Sequence, residues 1–164
     1  MKLTQIERQM LYNQYQILSI LCPDEQHYYE KKMTILQKGY ELRYEDGVID
    51  VYDEEVSESD CLFVYDVLDM YSSLFFSYQK LDDKSGVSEK DVVFGGFDGN
   101  NETKLYSFVN FLLKDDGRWG EFKDVYTNSH GQRVNRYREM LSVYKGMKKH
   151  SDLSKDEIIS IINP

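Results

Sequence analysis

The residues able to do chemistry gather in two short stretches. Gly95-Gly96-Phe97-Asp98-Gly99-Asn100-Asn101-Glu102 sets two carboxylates and two amides among glycines, and Asn128-Ser129-His130-Gly131 places an imidazole on an irregular segment. With Asp98 or Glu102 as acid or orienting group, His130 as base, and Asn101 and Asn128 as ligand-holding amides, the pair of stretches would form a small hydrolytic or ligand-binding cleft. Loops are where such groups reach a ligand. The fold would have to carry the Asp98 loop to His130, because Ser129 lies beside His130 in sequence, where side chains diverge, and is no nucleophile for its neighbour.

Neither stretch completes a known chemistry by itself. Read as a calcium loop from Asp98, the sixth position is Thr103 instead of glycine and the twelfth is Val109 instead of glutamate, which excludes an EF-hand. No Gly-Lys-Ser/Thr follows the glycines, so there is no phosphate cradle. His27, His130 and His150 have no chelating spacing, and neither a metal nor a cofactor is expected. The residue types favour a plainer reading, with Asp98 as the N-cap of the helix that follows and His130 in a hydrogen-bonded turn.

The elements that position these stretches are helical. Thr4-Gln5-Ile6-Glu7 reads as a capping box, after which Ile6, Met10, Ile17 and Leu21 recur as an apolar stripe widened by Leu11, Tyr15 and Leu18. Cys22-Pro23-Asp24 stops this helix and permits a second, with Tyr29, Met33, Leu36 and Tyr40 on its apolar face, so the two form a helical hairpin. A long helix starts at Ser57 and runs to about Leu81 as the spine of the rest. Ser88 caps a short turn. Leu105, Phe108, Val109 and Leu112 define a further helix, and Tyr137, Met140, Leu141 and Tyr144 another leading toward His150. Ser154 and Glu157 box the start of a C-terminal helix carrying Ile158, Ile159, Ile161 and Ile162, with Leu153 and Ile158 as its staple. Strand alternation is absent apart from β-branched residues at Val48 to Tyr52 and Asp91 to Phe94. The expected fold is all-α and multihelical. A hairpin subdomain (1–44) precedes an acidic connection (45–56) and a larger helical subdomain (57–164) around the one long helix; the whole is also countable as one domain.

Composition narrows the function classes. The 164 residues carry a net charge of −9, which opposes general attraction to nucleic acid or anionic lipid. No apolar run approaches a membrane span, and the N-terminus lacks an apolar leader, so the chain reads as cytoplasmic with no membrane partner. Cys22 and Cys61 read as free thiols. Fourteen tyrosines, and no alanine, mean that helices pack through large side chains whose hydroxyls need partners. Charge is segregated: the charged residues of 41 to 70 are acidic apart from Arg43, and the Asp, Glu, Lys and Arg of 131 to 150 are basic apart from Glu139. Arg138, Lys145 and Lys149 fall on one flank of a helix as a basic stripe, open to phosphates but as readily neutralised by the acidic half, within one molecule or across a symmetric dimer.

Thr4 to Tyr15 with its Thr-x-x-Glu-Arg start and Leu-Tyr-Asn-Gln-Tyr end, Lys38-Gly39-Tyr40, Asp69-Met70-Tyr71, Gly96-Phe97-Asp98 and Tyr137-Arg138-Glu139-Met140-Leu141 together resemble the bacterial YfbU family. The resemblance spans Thr4 to Pro164 and implies a multihelical cytosolic protein of two subdomains, one of them a helical hairpin. It carries over no catalytic or ligand residues. The expected function is therefore a non-enzymatic protein-interaction module that self-associates as a homo-oligomer. The alternatives are a ligand-binding protein or hydrolase with its cleft around Asp98 and His130, and a nucleic-acid contact through the basic stripe.

Overall fold

Seven α-helices and no strand make up the described part of the chain, residues 2–44 and 55–164 of a computed structural model. The chain divides into two compact units, Met1–Glu54 and Glu55–Pro164. Most of the acidic connection, including Val48 to Tyr52, lies outside the described residues.

The first unit is a hairpin of α1 (Gln5–Leu21) and α2 (Gln26–Lys38). Thr4 and Glu7 form the expected capping box, and Pro23–Glu25 makes a single 3-10 turn between the helices. Gly39 ends α2 in the left-handed conformation (φ 72°), where glycine pays no Cβ penalty. The Arg8 guanidinium donates to the Leu36 carbonyl at 3.2 Å, placing a cation against the last turn of α2. The core is small: Ile35, Leu36 and Tyr44 are buried, with Leu3, Leu11, Tyr12 and Tyr15 packed around them.

Here the expected orientation of α1 is corrected. The Ile6, Met10, Ile17 and Leu21 part of the predicted stripe does not face α2; Leu11 and Tyr15, which widened it, pack inward together with Tyr12. At 100° per residue these two groups stand on opposite sides of the helix, so α1 is apolar on two faces and only one of them meets the hairpin core.

The second unit is built on α3 (Glu58–Gln79), capped by the Ser57 hydroxyl accepting from the Asp60 amide at 3.1 Å. Val64, Val67, Leu68, Met70, Tyr71 and Leu74 of this helix are buried. Around it stand the one-turn α4 (Glu89–Val92), α5 (Thr103–Asn110) continuing into a π turn (Phe111–Asp115), α6 (Val134–Lys145) and α7 (Lys155–Ile162). Ser88 with Asp91, and Ser154 with Glu157, close capping boxes on α4 and α7. Leu153, Ile158, Ile161 and Ile162 then dock in the core as the periodicity predicts.

Candidate functional site

The chain between α4 and α5 and the chain before α6 are extended, and they cross. Phe97 N–H donates to the Thr127 carbonyl and Ser129 N–H donates to the Phe97 carbonyl, both at 3.0 Å, forming one isolated parallel bridge between Phe97 and Asn128. Two pairs of peptide groups that no helix could satisfy are thereby satisfied by each other. Gly96 permits the approach: its φ is +82°, and a Cβ there would stand 2.1 Å from the Thr127 oxygen.

Aromatic packing holds the crossing from below. Phe94, Phe97 and Tyr137 are buried with ring centroids 5.4 to 6.0 Å apart, and Tyr71 meets both Phe94 and Tyr137 edge-on. The Tyr137 hydroxyl donates to the Gly96 carbonyl at 2.9 Å, so the buried phenol finds the partner it needs. Burial raises the Tyr137 hydroxyl well above the ordinary tyrosine value and pushes Tyr71 up to about 12.

All five candidate residues meet at this crossing. Asp98 is only 3% exposed, with one carboxylate oxygen accepting the Asn100 N–H at 2.9 Å and the other the Asn101 side-chain amide at 2.6 Å. The Asn101 amide foremost, then the Asn100 N–H, hold its carboxyl below the ordinary carboxylate range, with a smaller contribution from the charge of His130. Asn128 Oδ1 accepts two N–H groups, from Gly99 at 3.1 Å and from His130 at 3.0 Å. That second bond holds His130 in a left-handed conformation (φ 51°) that only a few per cent of non-glycine residues adopt.

Glu102 carries the largest load. One of its oxygens accepts the Arg133 and Val134 N–H groups at 2.7 and 2.9 Å, and the other accepts the Asp98 N–H at 2.9 Å. It thus caps the N-terminus of α6 from thirty-odd residues away, where the N-cap residue Arg133 makes no side-chain cap of its own. The sequence does contain a signal for this. α6 begins with no Ser, Thr, Asp or Asn at its N-cap, which leaves its first N–H groups to water or to an acceptor from elsewhere in the chain.

Asp98 as the α5 N-cap is corrected. The N-cap position of α5 is Glu102, which makes no side-chain cap, and Asp98 instead closes a turn on Asn100 and accepts the Glu102 N–H with its carbonyl at 2.8 Å.

Chemically, the crossing is short of free groups. Ser129 donates to the Gly131 carbonyl at 2.7 Å and makes no bond to His130, which points outward against the exposed Tyr126 ring with its Nε2 3.3 Å from the hydroxyl. A concavity of about 390 Å³ beside the crossing is lined by Glu89, Lys90, Val93, Phe94, Gly95, Val125 and Tyr126, not by Asp98 or His130. Among the described residues no three His, Cys, Asp or Glu side chains converge to hold a metal ion.

The basic stripe is also redrawn. α6 ends at Lys145, so Lys149 lies past the helix and does not share its flank with Arg138 and Lys145. Lys145 pairs with Asp66 of α3 at 2.5 Å, Lys149 lies 3.4 Å from Glu157 and donates to the Asp152 carbonyl, and the Arg138 guanidinium sits over the Phe63 ring at 5.7 Å.

A model of the YfbU domain matches residues 1–164, the whole chain. The chain belongs to the YfbU family. Membership thus covers the hairpin, the spine helix and the crossing alike. No helix among the described residues is long and apolar enough to cross a membrane.

Proposed function

We propose that this YfbU-family chain is a cytoplasmic, non-enzymatic protein-interaction module that self-associates. One observation carries the reading: Ile6, Met10, Ile17, Ile20 and Leu21 of α1 are each between 57% and 74% exposed and share one side of the helix. Single exposed hydrophobic residues are ordinary, but five on one helical stripe form a patch of the kind that marks an interaction site. Among the described residues the hairpin behind them has a small core, with three hydrophobic residues buried.

The magnitude is sufficient. Burying the exposed half or more of a large aliphatic side chain contributes about 1 kcal/mol, so ten such side chains across two copies contribute on the order of 10 kcal/mol. Set against an association cost of at least about 4 kcal/mol, this leaves at most about 6 kcal/mol, a dimer with a Kd of about 40 μM or weaker.

The two alternatives draw less support. Asp98, Glu102 and Asn128 use their acceptors on main-chain N–H groups, and Lys145 and Lys149 have acidic partners within the molecule. The test is molar mass by light scattering across about 10 μM to about 1 mM chain, at low and at high salt. Mass rising with concentration at both salts is expected, since apolar contact is not screened. A strict monomer throughout overturns the reading.

A further inference from the structure

We infer that the occupant of the outward α1 face is a second copy of this chain, with the two α1 helices paired about a two-fold axis that passes beside Asn13. The inference rests on the self-association proposed above and goes further by naming the interface and its register.

The spacing comes first. Ile6, Met10, Asn13, Ile17 and Ile20 follow one another at intervals of four, three, four and three residues, the seam that lets one helix lie along another. Asn13 is its midpoint, with Ile6 and Ile20 seven residues away on either side, Met10 three before and Ile17 four after. A stripe so centred is complementary to itself. An antiparallel partner sets Ile6 against Ile20, a parallel one sets like against like, and both bring Asn13 to Asn13. That is the requirement of an isologous contact, in which one patch serves both copies.

Charge separates a second copy from a cationic partner. α1 contains only two charged residues, Glu7 and Arg8, and both are occupied: Glu7 by Thr4 in the capping box, Arg8 by the Leu36 carbonyl. Two chains of net charge −9 repel one another over most of their surface, so they meet at least cost where the surface is neutral. A cationic partner would gain from acidic surface, and this face offers none. Depletion of charge at the centre of a patch is also the compositional mark of interfaces.

The area is adequate. Ten large aliphatic side chains bury on the order of 600 to 800 Å² of apolar surface. With the stems of Gln9, Gln14 and Gln16 alongside, the total reaches the roughly 1,000 Å² that a specific interface needs. Asn13 then has a task. Its Oδ1 already accepts from Gln9 at 2.8 Å, and at the midpoint of the seam its side-chain amide meets that of a second Asn13 and fixes register.

The experiment is disulfide trapping in the full-length chain with Cys22 and Cys61 replaced by serine. Asn13→Cys is compared with Gln37→Cys, an exposed position on α2, under mild oxidation at concentrations where light scattering reports association. Cysteines bridge only when their Cα atoms come within about 7 Å, which Asn13 meets at the two-fold axis. Rapid covalent dimer from Asn13→Cys and none from Gln37→Cys is expected. Ile17→Glu added to the Asn13→Cys chain is expected to weaken association on the order of 30-fold and abolish trapping, with the helical circular dichroism unchanged. If the chain associates but Asn13→Cys traps no faster than Gln37→Cys, the interface lies elsewhere and the inference fails while self-association stands. If the chain is monomeric, both fall.

Discussion

Alanine at Gly96 tests the crossing most directly. The added Cβ would stand 2.1 Å from the Thr127 oxygen and 2.4 Å from its carbonyl carbon, so one of the two extended segments must move. Movement breaks what the crossing is made of: the Phe97–Thr127 and Ser129–Phe97 hydrogen bonds and the bond from Tyr137 to the Gly96 carbonyl. At about 1 kcal/mol for each bond, the three together cost about 3 kcal/mol. Strain in the aromatic packing beneath adds about 1 kcal/mol, and a non-glycine residue at φ +82° another ~1 kcal/mol. Gly86 isolates that last contribution, since it has the same φ of +82° with nothing within 4 Å of a built Cβ. Gly86→Ala is therefore expected to cost about 1 kcal/mol and Gly96→Ala about 5 kcal/mol. At roughly 4 °C per kcal/mol, the melting temperature of the C-terminal unit falls by about 4 °C in the first and about 20 °C in the second. Scanning calorimetry of the full-length variants measures both. A Gly96→Ala midpoint within about 5 °C of Gly86→Ala would refute the reasoning, because the segments would then separate at little cost.

Glu102→Gln keeps the shape but turns one acceptor oxygen into a donor facing a main-chain N–H, and is expected to cost about 2 to 4 kcal/mol by calorimetry; a loss under 1 kcal/mol would mean that water replaces the cap. Tyr71 and Tyr137 have raised values in the folded chain, so the stability they confer is complete below pH 10 and falls as pH rises from 10 toward 12. Tyr71→Phe should flatten that alkaline loss in thermal melts from pH 9 to 11, and an unchanged slope would remove Tyr71 as its source. Asp98 has the opposite sign: its folded value is depressed, so its contribution is present above about pH 4 and lost as pH falls below it. The gap in melting temperature between the native chain and Asp98→Asn should narrow from pH 6 to pH 2; a constant gap would contradict the hydrogen bonds from Asn101 and Asn100.

The helices were legible in the sequence where local chemistry decides them. Thr4 with Glu7, Ser57, and Ser154 with Glu157 are short-range caps, and Tyr137, Met140, Leu141 and Tyr144 mark the buried side of α6 by spacing alone. Two things were not legible. Periodicity finds an apolar stripe on α1 but does not say which of two such stripes faces α2, and here the side with the aromatic residues Tyr12 and Tyr15 took the core. Nor does spacing foresee the parallel bridge, because Phe97 and Asn128 each contribute a single paired residue with no strand alternation around it. The same gap hid the role of Glu102, which reads as a loop carboxylate and acts as the cap of a helix that begins at Val134.

That role bears on where function can reside. A carboxylate that exchanges a proton during a reaction must present an O–H in one of its states, and a neutral carboxyl accepts N–H groups more weakly than a charged one. Glu102 holds three such donors and Asp98 two, so proton traffic at either would loosen the start of α6 and the crossing with each turnover. Asn128, holding the N–H groups of Gly99 and His130, is committed in the same way. The polarity gathered at the crossing is thus accounted for by joining segments that no helix could join. What the hairpin does not account for is the other surplus, the aliphatic side of α1, which it leaves exposed. The interaction surface proposed on α1, with the crossing as the scaffold of the second unit, would assign each surplus one physical cause.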